Sequence, residues 1–174
     1  MTSKDAMRRN GDALIFRTPR AEDGPAVTRL IAASPPLDPN SAYCNLLQCT
    51  HFAGTCVVAE RDGAIAGWIS GYRLPEDQSC YFLWQVAVAA SARGEGLAGK
   101  MLDAIFARPA MRGVLRLTTT VTRDNEASWA LFRAFARRHS AQLSESLCFD
   151  RDRHFAGCHA SEWQAEIGPL APVS

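Results

Sequence analysis

The sequence predicts an α/β fold in which a mixed central β-sheet is flanked by helices within a single domain. The first observation is a nearly unbroken apolar run over Tyr81–Val88, followed by a glycine-containing turn and a helical pattern. The second is a pair of β-rich segments joined by Asp62-Gly63, a dipeptide typical of tight hairpins. The third is the order of the patterns: strand, helix, helix, three strands, helix, strand, helix and closing strands.

The composition is that of a globular domain with a small polar partner. The chain has 174 residues, 47% of them hydrophobic, and its formal net charge of +1 gives no long-range attraction to nucleic acid or membranes. No apolar run approaches the roughly 20 residues that span a bilayer, and residues 1–10 lack the apolar core of a signal peptide. We therefore expect residues 1–12 to be a flexible tail and residues 13–170 to form one domain.

The first part of the chain predicts a strand and two helices. Ala13–Arg17 is a short strand, and Pro19 fits the first turn of a helix with an acidic start. The buried stripe of that helix consists of Val27, Leu30 and Ile31. Ser34–Ser41 predicts a rigid, proline-rich loop ending in an Asn-Ser capping pair, and a second helix continues from Tyr43 toward Phe52.

Four strands are predicted in the middle of the chain. Thr55–Glu60 and Ala64–Tyr72 form the hairpin, and the continuous apolar character of Tyr81–Val88 predicts a strand covered on both faces. Val114–Val121 follows as a partly alternating strand.

The last part of the chain predicts one helix and two closing strands. Asp124 and Asn125 cap the helix. Leu143–Phe149 and Trp163–Ile167 are the strands, and the polar segment Asp150–Ser161 is the loop between them.

Residues 93–98 connect the Tyr81–Val88 strand to the next helix. Gly94 and Gly96 permit a tight turn, and the free N–H groups of a helix start form a cradle for an anionic phosphate. The segment lacks the third glycine of a dinucleotide fingerprint, and Lys100 is followed by Met101 rather than by the Ser or Thr of a Walker loop. An ordinary strand-to-helix connection remains open.

The six cysteines form no Cys-x-x-Cys pair, and several lie in apolar runs: Cys44, Cys49, Cys56, Cys80, Cys148 and Cys158. We expect free thiols packed as small hydrophobic groups in a reducing cytosol. A catalytic cysteine stays open, although nothing in the sequence positions one.

The loop and its surroundings resemble a known family. Arg93, Gly96 and Ala98 match the acyl-CoA loop Arg/Gln-x-x-Gly-x-Gly/Ala, so the chain resembles the GCN5-related N-acetyltransferases (GNAT). Within them it is similar to the L-2,4-diaminobutyrate acetyltransferases of ectoine biosynthesis. The matching segments are Pro35–Tyr43, Cys49–Phe52, Thr55–Glu60, Ser70–Tyr72, Trp84–Val88, Thr119–Phe132, His154–His159 and Ile167–Pro169.

This resemblance implies a GNAT fold and acetyl transfer from acetyl-CoA, as cosubstrate, to the 4-amino group of L-2,4-diaminobutyrate. It further implies a cytoplasmic homodimer that uses no metal and has no nucleic-acid or membrane partner. Two alternatives stay open: a GNAT enzyme acting on a protein N-terminus, a lysine or an antibiotic amine, and a non-catalytic acyl-CoA-binding regulator.

The resemblance also implies which residues contact CoA. Backbone N–H groups of the loop would hold the pyrophosphate, with the charge of Arg93 added, and a backbone N–H of the preceding strand would polarise the thioester carbonyl. The predicted cofactor-binding residues are Val86, Ala87, Val88, Arg93, Gly94, Glu95, Gly96, Leu97, Ala98, Asn125 and Phe132. Asn125 is equally well explained as a plain helix cap. Phe132 stands where the superfamily often has a general-acid tyrosine, and it has no proton to donate.

The predicted substrate and catalytic residues lie outside the loop. Asp38, Tyr43, Trp84 and Glu162 are the candidates for binding diaminobutyrate, although Asp38 also fits an Asx turn and Trp84 a core position. Glu162 is our first choice for the general base, because an alkyl ammonium with a pKa of about 10 must lose a proton before it attacks. His159 is the second choice. Without the tyrosine, the thiolate must be protonated by another side chain, by water or by the ammonium product, and Tyr43 is the candidate side chain. His51 and His154 have structural explanations.

Overall fold

The structure is a computed structural model that describes residues 14–172. The tail predicted over residues 1–12 therefore lies outside the described residues. The chain divides into two compact units, one ending at Ser70 and resuming over Gln85–Ile105, the other comprising Gly71–Trp84 and the chain from Phe106 onward. The single domain over residues 13–170 stays a prediction.

A seven-stranded sheet with flanking helices confirms the mixed α/β prediction, and its strand order is β1-β2-β3-β4-β5-β7-β6. The strands are β1 (Ile15–Arg17), β2 (Val57–Arg61), β3 (Ala64–Leu74), β4 (Asp77–Val88), β5 (Arg116–Thr122), β6 (Gln142–Phe149) and β7 (Glu162–Gly168). The helices are α1 (Gly24–Ala32), α2 (Ala42–Thr50), α3 (Leu97–Phe106), α4 (Glu126–Arg138) and α5 (Arg151–Phe155).

In the first unit, β1, β2 and β3 pair antiparallel, and the predicted hairpin is present. Its turn residues Asp62 and Gly63 have φ values of 52° and 76°, the left-handed conformation that a type I′ turn requires. The apolar stripe of α1 is buried as predicted. It belongs to the cluster Val27, Leu30, Ile31, Cys49, Cys56, Val58, Trp68 and Ala87.

An ion triad joins β1, the turn before α1, and β2. The Arg17 guanidinium donates to the two carboxylate oxygens of Asp23 at 2.7 and 2.8 Å and to Glu60 Oε2 at 2.8 Å. These Arg17 bonds, helped by the Arg20 backbone N–H, hold the pKa of Asp23 below its usual value. Because the folded-state pKa is depressed, ionised Asp23 stabilises the fold above the ordinary Asp pKa, and this stabilisation is lost as pH falls through the folded-state pKa.

In the second unit, β5 pairs antiparallel with β7, and β7 with β6. The start of β4 pairs parallel with β5 through Cys80–Phe82 and Arg116–Thr118. One face of α4 is buried, and its Phe135 ring packs against Phe106 with the ring centroids 5.2 Å apart.

Four local predictions were wrong. Pro19 precedes the helix, and Pro25 occupies the first turn of α1, where the missing N–H costs nothing. Helix α2 ends at Thr50, before Phe52. Strand β4 is not covered on both faces, because its residues alternate between buried and partly exposed positions. The segment predicted as loop 150–161 contains the short helix α5, whose cap is Asp150.

The prediction of free thiols is confirmed, but the prediction that they pack as small hydrophobic groups does not hold for every cysteine. All six are free thiols; Cys49, Cys56 and Cys80 are buried, whereas Cys158 is exposed. Burial raises the pKa of Cys80 above its ordinary value and that of Cys49 to about 11, so both stay protonated and poorly nucleophilic at neutral pH.

Two glycines of β3 provide a matched stability test. A Cβ at Gly71 would lie 2.6 Å from the Phe82 carbonyl oxygen and would also collide with the Tyr81 hydroxyl, and a backbone oxygen is displaced only at a cost. A Cβ at Gly67 would meet the flexible end of Met101, at 2.8 Å from its Sδ and Cε atoms.

We predict that Gly71→Ala lowers the free energy of unfolding by about 3 kcal/mol and Gly67→Ala by about 1 kcal/mol, because Met repacks and a strand carbonyl does not. Denaturant titration of both variants measures the difference. Equal losses would contradict the described packing.

Candidate active site

The loop between β4 and α3 has the backbone of an anion cradle. Gly94 and Gly96 have φ values of 82° and 70°, which explains why glycine stands at both positions. The Lys100 N–H donates to the Gly96 carbonyl at 3.1 Å, which begins the hydrogen bonding of α3. The amides before it belong to the first turn, whose N–H groups have no partner within a helix.

The side chains of this loop are held by their own unit. Arg93 is exposed, and its Nε donates to the Val88 carbonyl at 3.3 Å. Glu95 accepts two hydrogen bonds from Arg61 at 3.1 and 2.5 Å, and this partner lowers the pKa of its carboxyl. Leu97 is buried and anchors the start of α3. The carboxylate of Glu95 is thus neutralised by a neighbouring cation.

The end of β4 supplies the predicted carbonyl-polarising segment. Ala87 is buried, whereas Val86 and Val88 are half-buried, so only the first belongs to the core. The next amide, that of Ala89, donates to the Ala66 carbonyl at 2.9 Å. The two valines therefore depart from the prediction that this strand is covered on both faces.

The loop before α2 and the start of that helix carry Asp38 and Tyr43. The Asp38 side chain is exposed, while its backbone carbonyl accepts a hydrogen bond from Gln85 Nε2 at 2.8 Å. Tyr43 is 70% exposed in the first turn of α2. Ser41 caps this helix by accepting from the Cys44 N–H. Both predicted side chains are therefore accessible to a ligand.

Trp84 is 42% exposed, which rules out the core position that a tryptophan in an apolar strand usually takes. Its ring packs edge-on against Tyr72, with centroids 6.3 Å apart, and Tyr72 in turn contacts Phe82 at 5.4 Å. A ring packed against one neighbour and exposed over much of its surface can contact a ligand.

Glu162 and His159, the first and second candidates for the general base, lie near each other. Glu162 begins β7 with its side chain 17% exposed, and its Oε1 is 3.9 Å from His159 Nε2. His159 Nδ1 lies 2.7 Å from the Ala160 carbonyl oxygen, which only accepts, so Nδ1 carries a proton. In neutral His159, Nε2 therefore faces Glu162 as a proton acceptor.

Helix α4 carries Asn125 and Phe132. Asn125 is the N-cap, and its Oδ1 accepts from the Ser128 N–H at 3.1 Å. Phe132 is buried.

His154, in α5, accepts a hydrogen bond from the Asp150 N–H at its Nδ1, which is the structural role expected of it.

A cavity of about 610 Å³ in the first unit contains none of the predicted site residues. It lies beside Arg17, Arg29, Glu60 and Ile65, and its buried carboxylate, Asp23, is already bonded to Arg17.

Within residues 14–172, no three or more His, Cys, Asp or Glu side chains group as metal ligands. In the same part of the chain, no helix has the length and apolar character needed to cross a membrane.

Sequence reasoning missed a set of buried amides around Gln85. Asn45 is completely buried and Gln85 is 6% exposed, and Asn40, predicted as a capping residue, bonds to both of them. A polar residue at the inward position of an apolar strand, such as Gln85, was the available signal. Its partners lie 45 and 47 residues away and carry no local pattern.

Comparisons with known proteins identify a matching family and several similar proteins. Residues 25–136 match the acetyltransferase (GNAT) family model. The chain is 48% identical over 155 residues to the L-2,4-diaminobutyric acid acetyltransferase of Methylotuvimicrobium alcaliphilum, covering 89% of this chain and 90% of that protein. It is 48% identical over 153 residues to the enzyme of the same name from Vibrio cholerae, with 88% of each covered.

A similar solved structure is diaminobutyrate acetyltransferase EctA from Paenibacillus lautus in complex with its substrate L-2,4-diaminobutyric acid and coenzyme A. The TM-score is 0.88 at 38% identity, covering 91% of this chain and 96% of that chain.

The two explanations of Asn125 predict different outcomes for one substitution. Asn125→Ser keeps a good cap but removes the amide donor, whereas Asn125→Ala removes both and costs about 1 kcal/mol of stability. If the amide also contacts the CoA arm, we expect Asn125→Ser to raise the KM for acetyl-CoA about fivefold at unchanged stability. Steady-state kinetics and thermal unfolding of both variants decide this. An unchanged KM in Asn125→Ser would leave Asn125 as a plain cap.

Proposed function

The chain belongs to the L-2,4-diaminobutyric acid acetyltransferases of the acetyltransferase (GNAT) family, and we propose that it moves the acetyl group of acetyl-CoA to the 4-amino group of L-2,4-diaminobutyrate. The product is N4-acetyl-L-2,4-diaminobutyrate, an intermediate of ectoine biosynthesis.

The observation that carries this proposal is the likeness, over most of both chains, to a relative whose structure holds diaminobutyrate and coenzyme A. The alternative acceptors, a protein N-terminus, a lysine or an antibiotic amine, have no comparable support. The regulator alternative depended on Phe132, whose lack of a donor proton is compatible with catalysis if another group supplies that proton.

We assign CoA binding to the loop and the end of β4. The Arg93 N–H already donates to the Ala90 carbonyl at 3.4 Å, so we assign the pyrophosphate to the N–H groups of residues 94–98. The exposed Arg93 side chain adds a full positive charge. A backbone N–H near Val86–Val88 donates to the thioester oxygen as negative charge develops there. The proposed transfer uses no metal ion.

Glu162 is the proposed general base. It takes a proton from the 4-ammonium group, directly or through a water molecule, and the neutral amine then attacks the thioester carbon. His159 gives this proton an exit, because the lone pair of its Nε2 faces the Glu162 carboxylate and its side chain reaches solvent.

After the attack a carbon–nitrogen bond forms, the carbon–sulfur bond breaks, and the departing CoA thiolate takes up one proton. The nitrogen loses its second proton as it becomes an amide, and that proton restores the group that protonated the thiolate. We assign that donation to Tyr43, whose exposed phenol has a proton to give. We also assign diaminobutyrate binding to Asp38, as the counter-charge to an ammonium group, and to Trp84, as an apolar contact surface.

We further propose that the enzyme works in the cytosol as a homodimer. The terminal strand of the sheet, β6, exposes Leu147 and Phe149 at 48% and 45%, which is the kind of surface a second copy covers. A monomeric mass by light scattering at micromolar concentration would contradict the assembly.

The experiment that tests the reaction measures CoA release with a panel of amines. We expect turnover with diaminobutyrate and a kcat/KM at least about tenfold lower with ornithine, because one added methylene misplaces the amine in a fitted pocket. Lysine and a peptide with a free N-terminus should react more slowly still. Preference for the peptide would overturn the proposed substrate, and acetyl-CoA binding without turnover would overturn the reaction.

Glu162→Gln tests the proposed base. We expect kcat to fall about 100-fold because the amide cannot take the ammonium proton, while the KM for acetyl-CoA stays unchanged. Glu166→Gln is the matched control, since the same change on the same strand alters a carboxylate that pairs with Arg116. Unchanged turnover in Glu162→Gln would remove Glu162 from its role.

A further inference from the structure

A continuous chain of hydrogen-bonded side chains connects α1 to the substrate loop inside the first unit. From the Gly24 carbonyl it runs through Thr28, Asn45 and Asn40 to Gln85, and it ends at the Asp38 carbonyl. Its distances lie between 2.7 and 3.2 Å. It joins two helices, a loop and the central strand β4.

The orientation of every side-chain amide in this series of hydrogen bonds is fixed by the backbone carbonyls at its two ends. Thr28 Oγ1 donates to the Gly24 carbonyl at 2.8 Å, so it accepts from Asn45 Nδ2 at 2.9 Å. At the other end, Gln85 Nε2 donates to the Asp38 carbonyl, which leaves Gln85 Oε1 as an acceptor. Both backbone oxygens only accept, and so neither end can be reversed.

The two halves of this series of hydrogen bonds meet at the –NH₂ group of Asn40. Asn40 Nδ2 donates one hydrogen to Gln85 Oε1 at 2.7 Å and the other to Asn45 Oδ1 at 3.2 Å. An –NH₂ group has two hydrogens, and both are needed here. A carboxylate of the same shape at position 40 or 85 would place oxygen against oxygen.

We propose that Gln85 is a positioning residue for diaminobutyrate recognition. It acts by holding the main chain of Asp38, and Asn40 locks the Gln85 amide in the orientation that does so. The Asp38 side chain is exposed on a loop, and such a side chain binds a ligand well only if its backbone is held in place. The proposal rests on the proposed function, in which Asp38 binds the substrate.

Gln85→Glu in the full-length protein is the direct test. The introduced carboxylate faces the Asp38 carbonyl in place of a donor, so the loop loses its anchor while the side-chain volume is kept. We expect the KM for diaminobutyrate to rise about tenfold, with kcat changed less and the KM for acetyl-CoA unchanged. Asn40→Asp, at a half-buried position that tolerates a charge better, should give the same pattern.

Gln48→Glu is the matched control. Gln48 is 1% exposed in the same unit, its Nε2 reaches only Cys44 Sγ at 3.8 Å, and its Oε1 has no hydrogen-bond partner among residues 14–172. The same change there introduces an equally buried carboxylate outside the chain. It should lower the unfolding temperature without raising the KM for diaminobutyrate.

A double-mutant cycle separates positioning from general damage. If Gln85 acts through Asp38, Gln85→Glu should raise the KM for diaminobutyrate about tenfold in the wild type and barely at all in Asp38→Asn. Additive effects, or an equal rise in both KM values, would overturn the positioning role. If Asp38→Asn alone leaves the KM unchanged, the assigned role of Asp38 fails and the positioning role with it. If the wild type does not acetylate diaminobutyrate, the proposed function itself fails.

Discussion

The alternation of side chains along β4 is the constraint from which the proposed site follows. Successive residues of a strand point to opposite faces, so the neighbours Trp84 and Gln85 receive different environments, one 42% and the other 6% exposed. The first is open to a ligand and the second is bonded to the Asp38 loop. The strand then ends at Val88 and leads into the glycine turn before α3. In our proposal this one strand therefore contributes residues to both substrate recognition and cofactor binding.

The two binding tasks use different parts of the chain. In our proposal CoA is held mainly by backbone N–H groups, whose positions are set by Gly94 and Gly96. In the same proposal diaminobutyrate is held by side chains such as Asp38 and Glu162, and the main chain of Asp38 is supported by Gln85. A loop backbone of this kind can therefore serve many acceptor amines, while the side chains around the substrate select one of them.

Features set by neighbouring residues were predictable from the sequence. The Asp62-Gly63 hairpin, the Asn125 cap and the glycine turn depend on a few adjacent residues, and each is present. Features that depend on distant partners were not predictable from the sequence. Gln85 bonds to residues 45 and 47 positions away, so no local pattern announces its role. The partial exposure of β4 was missed because an apolar run does not tell whether both faces are covered.

The regiochemistry of the product tests the central claim most directly. Proton and carbon NMR of the purified product of acetyl-CoA and L-2,4-diaminobutyrate distinguishes acetylation at the two nitrogens. We predict a single product in which the C4 methylene is next to the amide and the 2-amino group remains a free ammonium. Acetylation at the 2-amino group, or a mixture of the two isomers, would contradict a pocket that delivers the 4-amino group to the thioester.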